Sequence, residues 1–220
     1  MPFYSIAFAL LLTAWTLLLG VLFLPFLLLP RRCFKWPRLL WLSGVLLLVR
    51  RVLGITWQLT GTQPTGVFIL AAQHQSALET FIIARLYPDA AFVLKRELLW
   101  IPIFGWYLWK TQPISLNRKA GVTALRRLAD AAKKSQRVLI IFPQGTRQAP
   151  NTAVRVLPGV ALLAEQTGLP VIPLTLNTGL FWPKNMAKAQ RGMASLHFHE
   201  AYPAAMPRRA LMNTLAALYT

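Results

Sequence analysis

Val67-Phe68-Ile69-Leu70-Ala71-Ala72-Gln73-His74-Gln75-Ser76-Ala77-Leu78-Glu79 is a run of six apolar residues that turns abruptly polar. The apolar part, bounded upstream by the turn-like Gly61-Thr62-Gln63-Pro64-Thr65-Gly66, reads as a strand over Val67 to Ala72. Ser76 and Glu79 form an S-x-x-E capping box, which starts a helix at Ser76 and carries it from Ala77 to Tyr87. His74 is left in the bend between the two. On a continuous helix, positions five apart point about 140° away from each other, and His74 could not meet Glu79. The bend lets the imidazole swing towards the first helical turn. A carboxylate there can accept one ring N–H, fix the tautomer and leave the other nitrogen free to take a proton. A base of that kind contributes roughly 10²–10⁴ in rate. The competing reading is a loop histidine beside a glutamate that only caps a helix.

Working outward, short apolar runs alternate with helical patterns, the signature of an α/β fold. Ile55 to Thr60, Ala91 to Leu94, Ile114 to Leu116, Val138 to Phe142 and Val171 to Leu176 read as strands. Val122, Leu125, Ala129 and Ala132 share one helical face, with Arg126, Arg127, Lys133 and Lys134 outside it. Leu196 to Glu200 reads as an edge strand, and a helix from about Arg208 closes the chain. Polar residues cluster just after the strands, where open α/β sheets build their sites. Residues 55–220 are therefore expected to form one domain.

The first 54 residues are of another character. Phe3 to Leu29 carries no charge, and such a run is long enough to cross roughly 30 Å of hydrocarbon. Leu39 to Val49 is too short to span, which suits an interfacial, re-entrant or buried helix. Residues 1–54 are thus expected to be membrane-anchoring helices, two packed hydrophobic segments holding the domain against one leaflet. Whether the first crosses the bilayer is left open by the sequence. Arg31, Arg32, Lys35 and Arg38 follow the first run directly, so the positive-inside bias puts the domain on the cytoplasmic face of the inner membrane.

Of 220 residues 55% are hydrophobic and 14% charged, and 24 Lys and Arg against 6 Asp and Glu give a net charge of +18. Such a balance favours anionic partners, membrane lipids among them. One cysteine, Cys33, excludes a disulfide within the chain and a cysteine-based metal cluster. His197 and His199 share a strand face without the further ligands a metal needs, and read as surface or packing residues. No metal and no cofactor is expected. The aromatic stretch Leu98 to Lys110 has two readings, a segment at the lipid interface or a helix packed on the sheet.

His74-Gln75-Ser76-Ala77-Leu78-Glu79 resembles the H-x4-D/E motif of the glycerolipid acyltransferases, in particular the bacterial 1-acylglycerol-3-phosphate acyltransferase group. Phe142-Pro143-Gln144-Gly145-Thr146-Arg147 is similar to the F-P-E-G-T-R motif, Ile114-Ser115-Leu116-Asn117-Arg118 to I-x-I-D-R, and Val171-Ile172-Pro173-Leu174 to V-x-P-V. Leu94-Lys95-Arg96-Glu97-Leu98 resembles the basic element between the first two motifs. All five stand in family order. The resemblance implies a glycerolipid-acyltransferase-like domain: a central mixed sheet flanked by helices, behind an N-terminal anchoring segment. It implies that His74 deprotonates a lysophospholipid hydroxyl, which attacks an acyl thioester of coenzyme A or acyl carrier protein, while Glu79 steadies the imidazole. It also implies a substrate-binding set of Lys95, Asn117, Arg118, Gly145, Thr146 and Arg147. Arg147 would grip phosphate through two parallel N–H bonds, and Gly145 permits close backbone approach.

Two residues depart from the family pattern. Gln144 stands for Glu and Asn117 for Asp, each keeping hydrogen-bonding shape while losing a negative charge beside an arginine. The expectation is a more cationic pocket with altered acceptor preference. Rival readings are an acyltransferase for another acceptor (lyso-ornithine lipid, glycerol 3-phosphate), a non-catalytic basic membrane-binding protein, and a nucleic-acid binder. The last has only the charge in its favour and no nucleic-acid motif. The second predicts an eroded His–carboxylate pair, whereas this chain carries both residues.

Overall fold

The computed structural model describes residues 3–101, 104–116, 130, 133–134, 136–150, 152 and 154–220. A seven-stranded sheet lies at its centre: β1 (Ile55–Thr60), β2 (Ile69–Ala72), β3 (Ala91–Lys95), β4 (Ile114–Leu116), β5 (Leu139–Ile141), β6 (Val171–Leu176) and β7 (Gly192–Phe198). Their spatial order is β1-β7-β6-β2-β5-β3-β4. β6, β2, β5, β3 and β4 run parallel, whereas β7 meets β6 antiparallel and β1 lies parallel to β7. The sheet is mixed, as expected.

The apolar strands are buried on both faces because helices cover both. Alternate residues of β2 divide between two cores. Leu70 and Ala72 point to one face, packed under α1 (Phe3–Leu22), α2 (Lys35–Leu48) and α3 (Leu78–Leu86). Ile69 and Ala71 point to the other, under α5 (Gly159–Thr167) and α7 (Arg208–Tyr219). Two short helices, α4 (Phe104–Lys110) and α6 (Thr178–Phe181), complete the described elements used below.

Three sequence expectations need correction or completion. The edge strand at Leu196 to Glu200 is β7, which starts at Gly192 and lies inside the sheet between β1 and β6. Its alternating burial, with Met193 and His197 exposed and Ala194, Leu196 and Phe198 buried, made an inner strand read as an edge. Helix α5 was not anticipated. Its core, Val160 to Ala164, is buried throughout, so the sequence shows a continuous apolar run rather than a helical period. The helical face of Val122, Leu125, Ala129 and Ala132 lies outside the described residues.

The long apolar start divides at Leu22, followed by a 3₁₀ turn, Leu24–Leu27, with Pro25 inside it. Among the described residues α1 is the one helix long and apolar enough to cross a membrane, and its exposed residues include Leu10, Leu11, Leu18 and Leu22. It is also tied to the domain along its length. Tyr4 Oη donates to Ala189 O at 2.8 Å, Trp15 Nε1 to Trp41 O at 3.1 Å, and Tyr107 Oη to Gly20 O at 2.6 Å. Phe8 is fully buried against Trp182, ring centroids 5.2 Å apart. α4 exposes Trp106 and Trp109 while Tyr107 turns inward, which favours the interfacial reading of that stretch.

Candidate active site

At the carboxyl end of β2 the chain leaves the sheet through residues anchored one after another. Gln73 N still donates to Leu174 O at 2.9 Å, as a strand residue would. Its side chain accepts from Leu176 N at 2.8 Å and donates to Tyr219 O at 2.7 Å, fixing the exit against β6 and the C-terminal helix. Gln75 Oε1 accepts from Gly179 N at 3.2 Å, and Ser76 Oγ from Leu78 N at 3.1 Å. The break in helical geometry before α3 is thus held by hydrogen bonds on both sides.

That break brings His74 and Glu79 together. His74 Nδ1 lies 2.9 Å from Glu79 Oε1. The same oxygen accepts from Gln75 N at 3.0 Å and Ser76 N at 2.8 Å, and Oε2 accepts from Thr178 Oγ1 at 2.6 Å. The Glu79 half of the expected capping box is therefore present, its carboxylate returning to Ser76 N, while Ser76 bonds Leu78 rather than Glu79. The Glu79 side chain has no solvent exposure, and every partner is a donor to it. A buried carboxylate needs such partners, because desolvation without them is costly. With Oε1 as the acceptor, a neutral imidazole here carries its hydrogen on Nδ1 and leaves Nε2 as the nitrogen that can take a proton. The ring stacks on Phe142, centroids 4.2 Å apart at 24°.

His74 opens into a cavity of about 1420 Å³. Lys95, Gly145, Thr146 and Arg147 line the same cavity, so four of the six expected binding residues meet the histidine there. Asn117 and Arg118 lie outside the described residues. Gly145 sits at φ 71 in a tight turn closed by its own N–H on Phe142 O at 2.9 Å, a conformation that favours glycine. Away from the cations the walls turn apolar. Phe81 and Ala84 place one flank of α3 along the cavity, with Ala77 just before the helix and Pro88 just beyond it, and residues of α1, α2 and α4 face it.

Sequence reading missed several contributors. Thr178, fully buried at the start of α6, completes the Glu79 cage, and Lys184 and Arg38 add cations to the cavity wall. Gln144 is buried and absent from that wall. Its Oε1 accepts from His74 N. Gln144 therefore meets the site through the His74 backbone rather than as part of the wall.

The arrangement, a mixed sheet with a histidine held on a buried carboxylate at the carboxyl end of a central strand, is that of an α/β protein with a general-base site. Residues 57–177 match the family model described as acyltransferase, and the chain belongs to that family. Over 149 residues it is 36% identical to the 1-acyl-sn-glycerol-3-phosphate acyltransferase of Pseudomonas aeruginosa, covering 66% of this chain and 58% of that one. The enzyme of the same name from Cocos nucifera is 33% identical over 127 residues, 56% of this chain and 41% of its own. The chain thus spans less than two thirds of the length of these relatives. In fold it matches the crystal structure of the 1-acyl-sn-glycerophosphate acyltransferase of Thermotoga maritima, TM-score 0.69 at 24% identity over 95% of this chain and 92% of that one.

Proposed function

We infer that this chain transfers a fatty acyl group from acyl-CoA or acyl carrier protein to the free sn-2 hydroxyl of 1-acylglycerol 3-phosphate, giving phosphatidate. The observation that carries the reading is one imidazole, backed by a buried carboxylate, opening into a cavity that is cationic near Arg147 and apolar beyond. His74 Nε2 takes the hydroxyl proton as the oxygen attacks the thioester carbonyl. The C–O bond forms, the C–S bond breaks, and the proton passes from the imidazolium to the departing thiolate. Glu79 holds the ring and stabilises its transient positive charge. Lys95, Arg147 and, beyond the described residues, Arg118 and Asn117 bind the acceptor's phosphate, with Gly145 and Thr146 forming the turn that lets it approach. The apolar walls take acyl chains. No covalent acyl-enzyme is required.

Residues 1–54 act as the anchor and 55–220 as the acyltransferase domain. The apolar outer face of α1, the exposed Trp106 and Trp109 of α4, and the Arg31, Arg32, Lys35 and Arg38 cluster support seating on the cytoplasmic face of the inner membrane, against anionic lipids. The test is a membrane assay of wild type and His74→Ala with labelled acyl-CoA and acyl carrier protein. Lysophosphatidate, lyso-ornithine lipid and glycerol 3-phosphate are offered in parallel. Transfer to lysophosphatidate should fall about 10²–10⁴-fold in the variant. Equal transfer by both proteins, or transfer confined to another acceptor, overturns the assignment.

A further inference from the structure

Glu79 is not the sole support of His74. The histidine's backbone N–H donates to Gln144 Oε1, and its carbonyl accepts from Gln148 N at 2.9 Å. The two glutamines are joined, Gln144 Nε2 donating to Gln148 Oε1 at 2.9 Å. The amide orientation follows from the partners: the oxygen of Gln144 has to face an N–H, so its NH₂ faces Gln148. Backbone donor, backbone acceptor and side-chain link together clasp the residue from behind.

We propose that Gln144 and Gln148 are positioning residues, a neutral brace that fixes the His74 backbone and, by carrying no charge, sets the pH range over which the imidazole acts as a base. The proposal rests on the reading of His74 given above. Among the described residues, Glu79 of α3 bonds the imidazole at Nδ1, while Lys95 at the end of β3, Arg147 after β5, Lys184 beyond α6 and Arg38 of α2 are the charges that share its cavity, with Tyr87 and Tyr107 as further titratable groups on the wall. Phe142, after β5, covers one ring face with an uncharged surface. A carboxylate at position 144, as the family motif would have it, would be a second negative charge beside the ring. It would stabilise imidazolium and raise the pH needed to keep the base unprotonated. Such a carboxylate could still accept from His74 N–H, with Gln148 turning its amide to donate, so the substitution changes charge more than shape.

Full-length wild type, Gln144→Glu and Gln148→Glu in detergent provide the test, Gln148→Glu serving where the buried substitution fails to fold. The imidazole titration of His74 is followed by NMR, its signal identified by loss in His74→Asn, alongside the pH profile of kcat/KM. Gln144→Glu should raise the midpoint by about 0.5–1 unit, Gln148→Glu by less, and the acidic limb of kcat/KM should move with it. Unchanged midpoints in the folded variants overturn the brace as the setter of pH. Midpoints that move while His74→Ala remains active support the brace and remove His74 as the base, which separates this failure from that of the proposed function.

Discussion

Helix α3 carries a carboxylate pair at each end, and the two could hardly differ more. At its start Glu79 has no exposed side-chain surface, and four donors converge on it, three from residues 74–76 and one from the distant Thr178. Just past its end Asp89 makes one 2.7 Å contact with Lys35, with side chains 63% and 48% exposed. Each is an acid beside a base, five residues apart at the start and 54 at the end. Burial separates them. In water an ion pair competes with solvent and mobile ions, and its geometry is held weakly. Inside the protein the acid has no alternative partners, so the positions of its donors, including the imidazole, are fixed. The cost of desolvating the carboxylate is what makes the arrangement rigid.

The largest effect should come from emptying the buried end. Glu79→Ala leaves the His74 ring, two backbone N–H groups and the Thr178 hydroxyl without their acceptor, and should destabilise the fold by about 3–5 kcal/mol. Chemical denaturation would measure it, and a loss below about 1 kcal/mol would mean the cage is looser than it looks. Glu79→Gln is the finer probe. Its amide oxygen can keep the three donors on Oε1, and the Thr178 hydroxyl can rotate to accept from the new NH₂. Folding should survive nearly intact while kcat drops about 10²-fold or more, since the imidazolium loses its counter-charge. Retained activity would show that Glu79 orients the ring without stabilising it electrically.

Thr178→Val comes next. Removing the hydroxyl at 2.6 Å leaves one carboxylate oxygen short of a donor, at a cost of about 1–3 kcal/mol in stability. The expected drop in kcat is severalfold, with KM nearly unchanged because Thr178 does not line the cavity. This residue also marks where sequence reading ends. The His74–Glu79 pair was legible because its signal is local: a strand, a bend and a capping glutamate within thirteen residues. Most strands were legible too, since apolar runs bounded by turns need no tertiary information. Thr178 lies 99 residues from Glu79, and Gln144 lies 70 from His74. Neither spacing leaves a trace in the chain. A general rule could have flagged both, since each follows the carboxyl end of a parallel strand, where this sheet gathers its polar groups. Arg147, beyond the same strand as Gln144, was named through the motif that resembles F-P-E-G-T-R. For β7, alternation told which residues face a core but not whether the strand had one neighbour or two.

The exposed end supplies the smallest effect and the sign that distinguishes it. The hydrogen bond from Lys35 holds the Asp89 carboxyl below its ordinary range, against the opposing pull of partial burial, with Lys35, Arg38 and Arg31 adding attraction. A depressed carboxylate contributes stability above the unfolded-state value, and that contribution disappears as pH falls through the folded one. Wild type should therefore exceed Asp89→Asn by only about 0.2–1 kcal/mol near neutrality, and the difference should begin to fall as pH drops below about 4, disappear only beneath the lower folded value, and shrink in high salt. Denaturation of both proteins at pH 7 and pH 3, with and without added salt, measures it. A difference that persists in acid, or that matches the loss in Glu79→Ala, would mean that Asp89 is held by α2 as firmly as Glu79 is held by its own donors. Burial would then no longer be what sets the two ends of α3 apart.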